Sequence, residues 1–413
     1  MNNKKYDWVI VGGGISGITI AEILCRDGKS VLLLEKNKQL SSETSKVFHE
    51  WLHSGSLYSL APDKLLTLRY LLGATDDLFE YYSSFSRMNL KPTESGINID
   101  GSGWFNNEFI EYRYRKHLFN PLWMSLVSRS INIIDLLNKH DWLRRRAGSG
   151  YSDSKVKPFH WVNNIPRQFS SNSDFFCKLS PDITMNSREL ISDILSAALG
   201  KDLKIVTESM VVNIIEKNDG VIVETNSNNY QAENVVICSP DMISKFLDIP
   251  IKTSYAPIAI VENVPEDEKS FVELDYNLKK CINLLKKVDG IGQAGGITMK
   301  RKEDVEPYLS YLIAEHKKRN PGIKVIDTYV GLKKELVQKG EDRNYLYHIN
   351  QNSTHVWSVI LGKFSLAFSM APEFYRRVYH QNPPKIIEMP MKNVKKGLVS
   401  ETSWKEIIIN SRR

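Results

Sequence analysis

The sequence predicts an α/β fold in two parts, one of them built on a doubly wound parallel sheet. Three observations carry that prediction. A strand-turn-helix-strand unit fills the first 36 residues, four glycines crowd its turn, and 413 residues exceed one ordinary core. Hydrophobic residues at 42% and charged residues at 25% are the balance of a globular chain. A net charge of +7 suits an anionic ligand, without the concentrated basic stripe of a nucleic-acid binder. Cys25, Cys177, Cys238 and Cys281 form no CxxC pair. That spacing argues against a metal site or a disulfide framework and suits a reducing, cytoplasmic compartment. The polar start Met1 to Lys5 reads as no signal peptide, and no apolar run nears the roughly 18 residues of a membrane span.

The elements follow in order. Val9 to Val11 is a short apolar strand that runs into Gly12-Gly13-Gly14. Ile15 to Arg26 reads as a helix with Ile18, Ala21, Ile23 and Leu24 available for burial, and Ser30 to Leu34 is a second apolar strand of the doubly buried kind. The spacing of Leu65, Leu68, Leu71, Leu72 and Leu78 predicts a helix within Asp63 to Phe85. Tyr112 to Arg146 is rich in aromatic and aliphatic residues between basic ends, with Trp123 and Trp142 inside it. It reads as a buried helical element or an oligomer contact rather than a membrane-surface helix, and Arg144 to Arg146 as a solvated helix end. Asn186 with Glu189 predicts a capping box opening the helix Ser187 to Leu199. Strands follow in "KIVTESMVVNIIEKNDGVIVET", bent at Asn218-Asp219-Gly220, and in "ENVVICSP". A helix is expected over Asp304 to Lys318, a strand over Val356 to Leu361, and a further helix from near Ser365. The tail beyond Gln381, with its prolines and lysines, carries no pattern that places it.

Gly12, Gly14 and Gly17 hold the three places of G-x-G-x-x-G. The first permits the tight turn, the second lets backbone approach a pyrophosphate, and the third lets the helix pack on the strand with its N–H groups facing the phosphates. Glu35 ends the second strand, where a carboxylate accepts hydrogen bonds from a ribose. Together they predict a bound dinucleotide, with Ile15 and Ser16 of the first helical turn and Lys36 beside the acid as further contacts. An acid at 35 argues against a 2′-phosphate, which leaves FAD or NAD. A simple NAD domain would begin another βαβ unit next. This chain gives instead the hydroxyl-rich "KNKQLSSETSKVFHEWLHSGSLYSL".

On these motifs, with "ENVVICSP" and "ILGKFSLAFSMAPE", the chain resembles FAD-dependent oxidoreductases of the D-amino acid oxidase type. That group includes glycerol-3-phosphate and 2-hydroxyglutarate dehydrogenases, and "HSG" followed by a tyrosine is similar to the loop of the latter. The Arg-x-Gly-Gly or Gly-Gly pair usual in amine-oxidase and sugar-mutase flavoproteins is missing after the acid. The resemblance implies an FAD-binding domain assembled from residues 1–60, 150–240 and 355–413, interleaved with an antiparallel-sheet α+β substrate domain of residues 61–149 and 241–354. It implies cofactor contacts at Ser42, Thr44 and Ser45, at the backbone of Val212, and at Cys238 and Ser239. Gly362, Lys363, Phe364 and Ser365 match the loop whose helix N-terminus faces the flavin, where a helix dipole and a lysine would stabilise negative charge. Lys363-Phe364 stands where the family usually has glycine, and "ICSP" lacks the usual glycine. Both departures leave open a flavin-binding protein without turnover.

The activity so implied is oxidation of a CH–OH carbon in a small polar or anionic substrate, a hydroxy acid, polyol phosphate or sugar-related compound, by hydride transfer to flavin. An amine or amino-acid oxidase is the alternative. The partners are then the substrate and an acceptor such as oxygen or a quinone, without nucleic acid. His53 is a candidate proton acceptor, since an imidazole titrates near neutrality, or a loop histidine bonded to backbone. His49 is a candidate for covalent flavin attachment. Tyr58 lines the pocket or packs within the loop. Lys333 and Lys334 match approximately where relatives place a carboxylate-binding arginine, but they read more readily as solvated surface lysines. Tyr347 and His348 precede the last strand, near the expected flavin face.

Overall fold

The computed structural model describes residues 4–61, 63, 65–93, 96–139, 170–247, 249–337, 346–386 and 391–412. Two sheets organise the chain. In the first, strands Leu203–Val206, Val31–Leu34, Lys5–Val11, Asn229–Ile237 and Val356–Leu361 run parallel in that spatial order. Tyr347–Gln351 adds an antiparallel edge. The strand Asn229–Ile237 forks. Its end pairs with Val356–Leu361, while its start pairs antiparallel with Gly220–Thr225, itself hairpinned to Val211–Lys217 across the expected turn.

Alternation along these strands builds two cores. Trp8, Ile10, Val31 and Leu33 face helices Ile15–Arg26, Leu66–Tyr82, Ser187–Leu199 and Ala367–Tyr379. Val9, Val11, Leu32 and Leu34 face the hairpin layer and helix Pro240–Leu247. A parallel sheet covered on both faces needs this continuous apolar run. Each such side chain contributes about 1.5–3 kcal/mol by leaving water. Helix Ile15–Arg26 is so enclosed that every residue is buried, and the ion pair of Glu22 with Arg26 at 2.7 Å is buried with it.

The second sheet has the order Lys324–Leu336, Ile251–Glu262, Gly292–Gly296, Ile282–Lys286, Phe271–Leu274, Phe105–Arg115, Phe175–Met185 and Trp51–Leu52. All these neighbours are antiparallel except Phe271–Leu274 beside Phe105–Arg115. Helices Pro121–Lys139 and Val305–Arg319 contribute to the cores beneath it.

Several expectations change. Trp51–Leu52 and Phe175–Met185, expected with the nucleotide segments, pair in the second sheet, whereas Tyr347–Gln351 belongs to the first. Helix Leu66–Tyr82 packs in the first sheet's core. The tail closes on both units: Leu40 bridges Val399, and helix Ser403–Ser411 sets Trp404 and Ile408 against Ile258, Ile260 and Ile291. A two-residue strand shows no periodicity, and Pro181 disguises the strand around it. The capping box does not form. The Asn186 amide donates instead to the Gly103 carbonyl and Asn106, Glu189 pairs with Arg87, and the Glu50 carboxylate accepts from the Ser187 N–H at 2.9 Å. Trp142 and Arg144 to Arg146 lie outside the described residues.

Candidate active site

A cavity of about 530 Å³ runs between the two sheets, from the ends of the parallel strands to the face of the second sheet. At its nucleotide end the chain turns at Gly12, whose φ of +110° favours glycine. A Cβ on Gly17 would stand 2.0 Å from the Gly12 carbonyl oxygen, so only glycine lets this helix sit so close to the strand. Both Glu35 oxygens accept backbone N–H groups, from Gly13 at 2.7 Å and Asn37 at 2.9 Å, which fixes the carboxylate at the strand end. The Ser45 hydroxyl accepts the Ile15 N–H at 3.0 Å, at the start of the helix. Gly12, Gly14, Ile15, Ser16, Glu35, Lys36, Ser42, Thr44, Ser45, Cys238 and Ser239 all line the cavity. Gly17 does not, being committed to the helix contact.

At the middle of the cavity stands His53. Trp51–Leu52 carries the chain onto the second sheet, and the 3-10 turn Ser56–Leu60 returns it towards the first. That detour places His53 and Tyr58 in the cavity wall. The imidazole stacks on Trp51 with centroids 4.2 Å apart and meets Tyr58 edge-on at 5.8 Å. Its Nδ1 lies 3.5 Å from the Oδ2 of Asp182, a fully buried carboxylate. Burial lowers the His53 pKa to about 4, with the Lys363 charge adding to the shift and Asp182 opposing it, so the ring is neutral at pH 7.

Asp182 is over-determined. It accepts from Trp51 Nε1 at 2.8 Å, from the Ser54 N–H at 2.8 Å and from the Tyr112 hydroxyl at 2.7 Å, with the Ser54 hydroxyl also bonded. Burial alone would raise its pKa, but His53, Ser54 and Tyr112 hold it below the ordinary value. A bulge puts it there. Leu179 faces Glu111 and Ile183 faces Phe109, so the strand carries extra residues around Pro181, and the Ser180 hydroxyl donates to the Ile110 carbonyl at 2.7 Å.

The remaining candidates divide. Gly362, Lys363 and Phe364 line the cavity, with the Lys363 ammonium 5.0 Å above the Tyr58 ring. Ser365 does not line it. Its hydroxyl accepts the His53 N–H at 3.0 Å and so ties the two loops together. The helix expected near Ser365 begins as a 3-10 turn, Phe364–Leu366, before Ala367–Tyr379. Lys333 lines the cavity but pairs with Glu335 at 2.5 Å, and Lys334 pairs with Asp241. The Val212 side chain is exposed and the wall beside it is made by Ser209, Met210 and Val211, while the contact expected of Val212 is through its backbone. Tyr347 and His348 are a correction. They lie on the outer antiparallel strand, Tyr347 packs against Tyr70, and neither lines the cavity.

Residues 7–279 match the family described as FAD dependent oxidoreductase, two thirds of the chain. The chain belongs to that family. A UDP-galactopyranose mutase of Mycoplasma pneumoniae is 41% identical over 59 residues, which is 12% of this chain and 15% of that protein's length. Solved structures similar in fold include an L-proline dehydrogenase from P. horikoshii, at TM-score 0.64, 13% identity and coverage of 93% of this chain and 96% of that one. An L-α-glycerophosphate oxidase from Mycoplasma pneumoniae with FAD bound gives TM-score 0.64, 16% identity, and 95% and 99% coverage. A glycine oxidase from Geobacillus kaustophilus gives TM-score 0.62, 13% identity, and 95% and 99% coverage. At such identities the likeness is one of fold.

The residues present fit the family's cofactor. The hydroxyls of Ser41, Ser42 and Ser209, all in the cavity wall at the nucleotide end, are buried without a hydrogen-bond partner, so a polar ligand is what would satisfy them. Among the described residues no cluster of His, Cys, Asp or Glu could hold a metal ion, and no helix is long and apolar enough to cross a membrane. The sequence reading missed Trp51, Asp182, Ser209, Asn283 and Thr298. Only Asp182 carried a trace, an acid set between Pro181 and Ile183.

Proposed function

We propose that this protein oxidises a CH–OH carbon of a small polar substrate, with FAD held across the first sheet and the substrate between His53 and the second sheet. The observation that carries this reading is the neutral His53 beside the anchored Asp182 in the cavity wall. When bound, FAD supplies the two-electron acceptor of the reaction. Gly12, Gly14, Ile15 and Ser16 would hold its pyrophosphate, Glu35 its ribose, and Ser42, Thr44, Ser45 and the backbone near Val211 its flanks. The division of the chain into FAD-binding and substrate-facing segments follows the two sheets.

His53 takes the hydroxyl proton. The carboxylate of Asp182 favours the tautomer with hydrogen on Nδ1, which leaves the Nε2 lone pair as acceptor. Asp182 then stabilises the imidazolium that forms, while Trp51 fixes the ring plane and excludes water. Lys363 offers positive charge near the reacting groups. Oxygen or a quinone closes the cycle, and the four free cysteines suit a reducing, cytoplasmic setting.

The test is anaerobic bleaching of the flavin absorbance by panels of hydroxy acids, polyols and amino acids. Bleaching by a hydroxyl compound, slowed at least about 100-fold in His53→Ala, is expected. Bleaching by amino acids alone would overturn the reading in favour of an amine oxidase. No bleaching by any panel, from a yellow protein, would make it a flavin-binding protein without turnover.

A further inference from the structure

We propose that the second-sheet end of the cavity is a recognition subsite for hydroxyl groups, so that the substrate is a neutral polyol or sugar rather than a carboxylate or a phosphate ester. This deepens the CH–OH reading above and rests on it. Three neutral side chains converge there from three separate segments. His49 follows the short helix Thr44–Val47, Asn283 stands on strand Ile282–Lys286, and Thr298 follows strand Gly292–Gly296. All three line the cavity, and His49 Nε2, Asn283 Oδ1 and Thr298 Oγ1 are buried without a hydrogen-bond partner.

The site is built rather than incidental. Asn283 pairs across the ladder with Gly295, where a Cβ would stand 2.4 Å from His49 Nε2 and 3.3 Å from Asn283 Oδ1. The missing side chain is what admits the imidazole and brings both polar atoms to one gap. Asn283 itself is 5% exposed. Buried polar atoms of this kind are ordinarily paired, so a ligand group is the natural partner.

Chemistry selects which group. An amide oxygen accepts only, and a neutral imidazole and a hydroxyl each both donate and accept. A hydroxyl can donate to Asn283 Oδ1 and still accept from a neighbour, whereas a carboxylate or phosphate brings acceptors alone. Burial, with Lys287, His53 and Lys363 nearby, lowers the His49 pKa to about 3, so it offers no positive charge at neutral pH. Among the described residues no arginine lines the cavity. Of its lysines, Lys36 pairs with Glu43, Lys333 with Glu335 and Lys334 with Asp241, and Lys363 lies over Tyr58. An anion here would have to draw Lys36, Lys333 or Lys334 away from its carboxylate or Lys363 off the Tyr58 ring, and a buried charge without a partner is strongly disfavoured.

The test uses the FAD-loaded protein under anaerobic conditions, with tryptophan fluorescence as the binding signal because Trp51 forms part of the wall. Xylitol, L-lactate, glycerol 3-phosphate and glycine are titrated into the parent and into Asn283→Leu and Thr298→Val, two substitutions that keep the branching of the side chain and remove its hydrogen bonding. Xylitol is expected to bind most tightly, with its Kd raised about tenfold in each variant while the flavin content and spectrum stay those of the parent. Tighter binding of lactate, glycerol 3-phosphate or glycine overturns the proposal, as does a xylitol Kd within about twofold of the parent in both variants. The two levels separate cleanly. Xylitol that binds through these side chains but bleaches no flavin sinks the CH–OH reading and keeps the subsite. A hydroxy acid that bleaches the flavin equally in parent and variants does the reverse.

Discussion

Replacing Asp182 by asparagine is the sharpest perturbation of the site. The substitution keeps the shape and removes the charge. It also swaps one acceptor oxygen for an NH₂ group, which cannot accept from both Trp51 Nε1 and the Tyr112 hydroxyl, bonded at 2.8 and 2.7 Å to the same oxygen. At least one buried donor is left without a partner, at about 1–3 kcal/mol, and the hydrogen bonds that remain lose their charge assistance. A net loss of about 2–4 kcal/mol at pH 7 is expected from urea unfolding. The sign with pH follows from the lowered Asp182 pKa: its contribution is present above the unfolded carboxyl value of about 3.9 and is lost as pH falls through the folded value. Parent and variant should therefore converge in strong acid. In the reaction, Asp182 is a positioning residue that favours the imidazolium of His53. Removing it lowers the His53 pKa further and should slow anaerobic flavin bleaching about 100-fold, with the acidic limb of the rate profile moved to lower pH. Bleaching within about twofold of the parent and an unmoved profile would refute the reasoning, whatever the stability did.

Other consequences follow from the same structure. Lys287→Met strands the Glu50 carboxylate, paired at 2.9 Å with both side chains buried, and should cost about 3–5 kcal/mol in urea unfolding, with Glu50→Gln on the same background recovering part of it. Gly17→Val places side-chain atoms against the Gly12 carbonyl, and a protein purified without flavin, with weakened thermal stability, is expected. Glu35→Ala frees the Gly13 and Asn37 N–H groups and removes the ribose acceptor, so FAD titration of the apoprotein should show affinity reduced about 10- to 100-fold. His53 and His316, with pKa values lowered by burial to about 4 and about 3, take up protons in the unfolded chain first. Stability should consequently fall between pH 7 and 5 by about 2 kcal/mol for each, which urea unfolding at the two pH values measures.

What the sequence made legible was what lies close along the chain. Gly12, Gly14, Gly17 and Glu35 act within one βαβ unit, so their spacing already encodes their meeting. The helix over Ser187–Leu199 and the hairpin at Asn218-Asp219 were equally local. The polar core of the site was hidden because it is assembled across distance. Asp182 meets His53 only through the pairing of Trp51–Leu52 with Ile183 and Thr184, and Pro181 beside it argues against a strand. Asn283 and Thr298 gain meaning only when Gly295 leaves room for His49. Tyr347 and His348 sit just before the right strand but on its far side in the sheet.

The most direct test of the account is the anaerobic reductive half-reaction with a polyol deuterated at its CH–OH carbons, followed at the flavin absorbance in the parent and in His53→Ala. The expected result is bleaching that slows several-fold on deuteration in the parent and is slowed at least about 100-fold in the variant. Bleaching that is indifferent to both deuterium and His53, or that no hydroxyl compound elicits from the flavin-loaded protein, would contradict it.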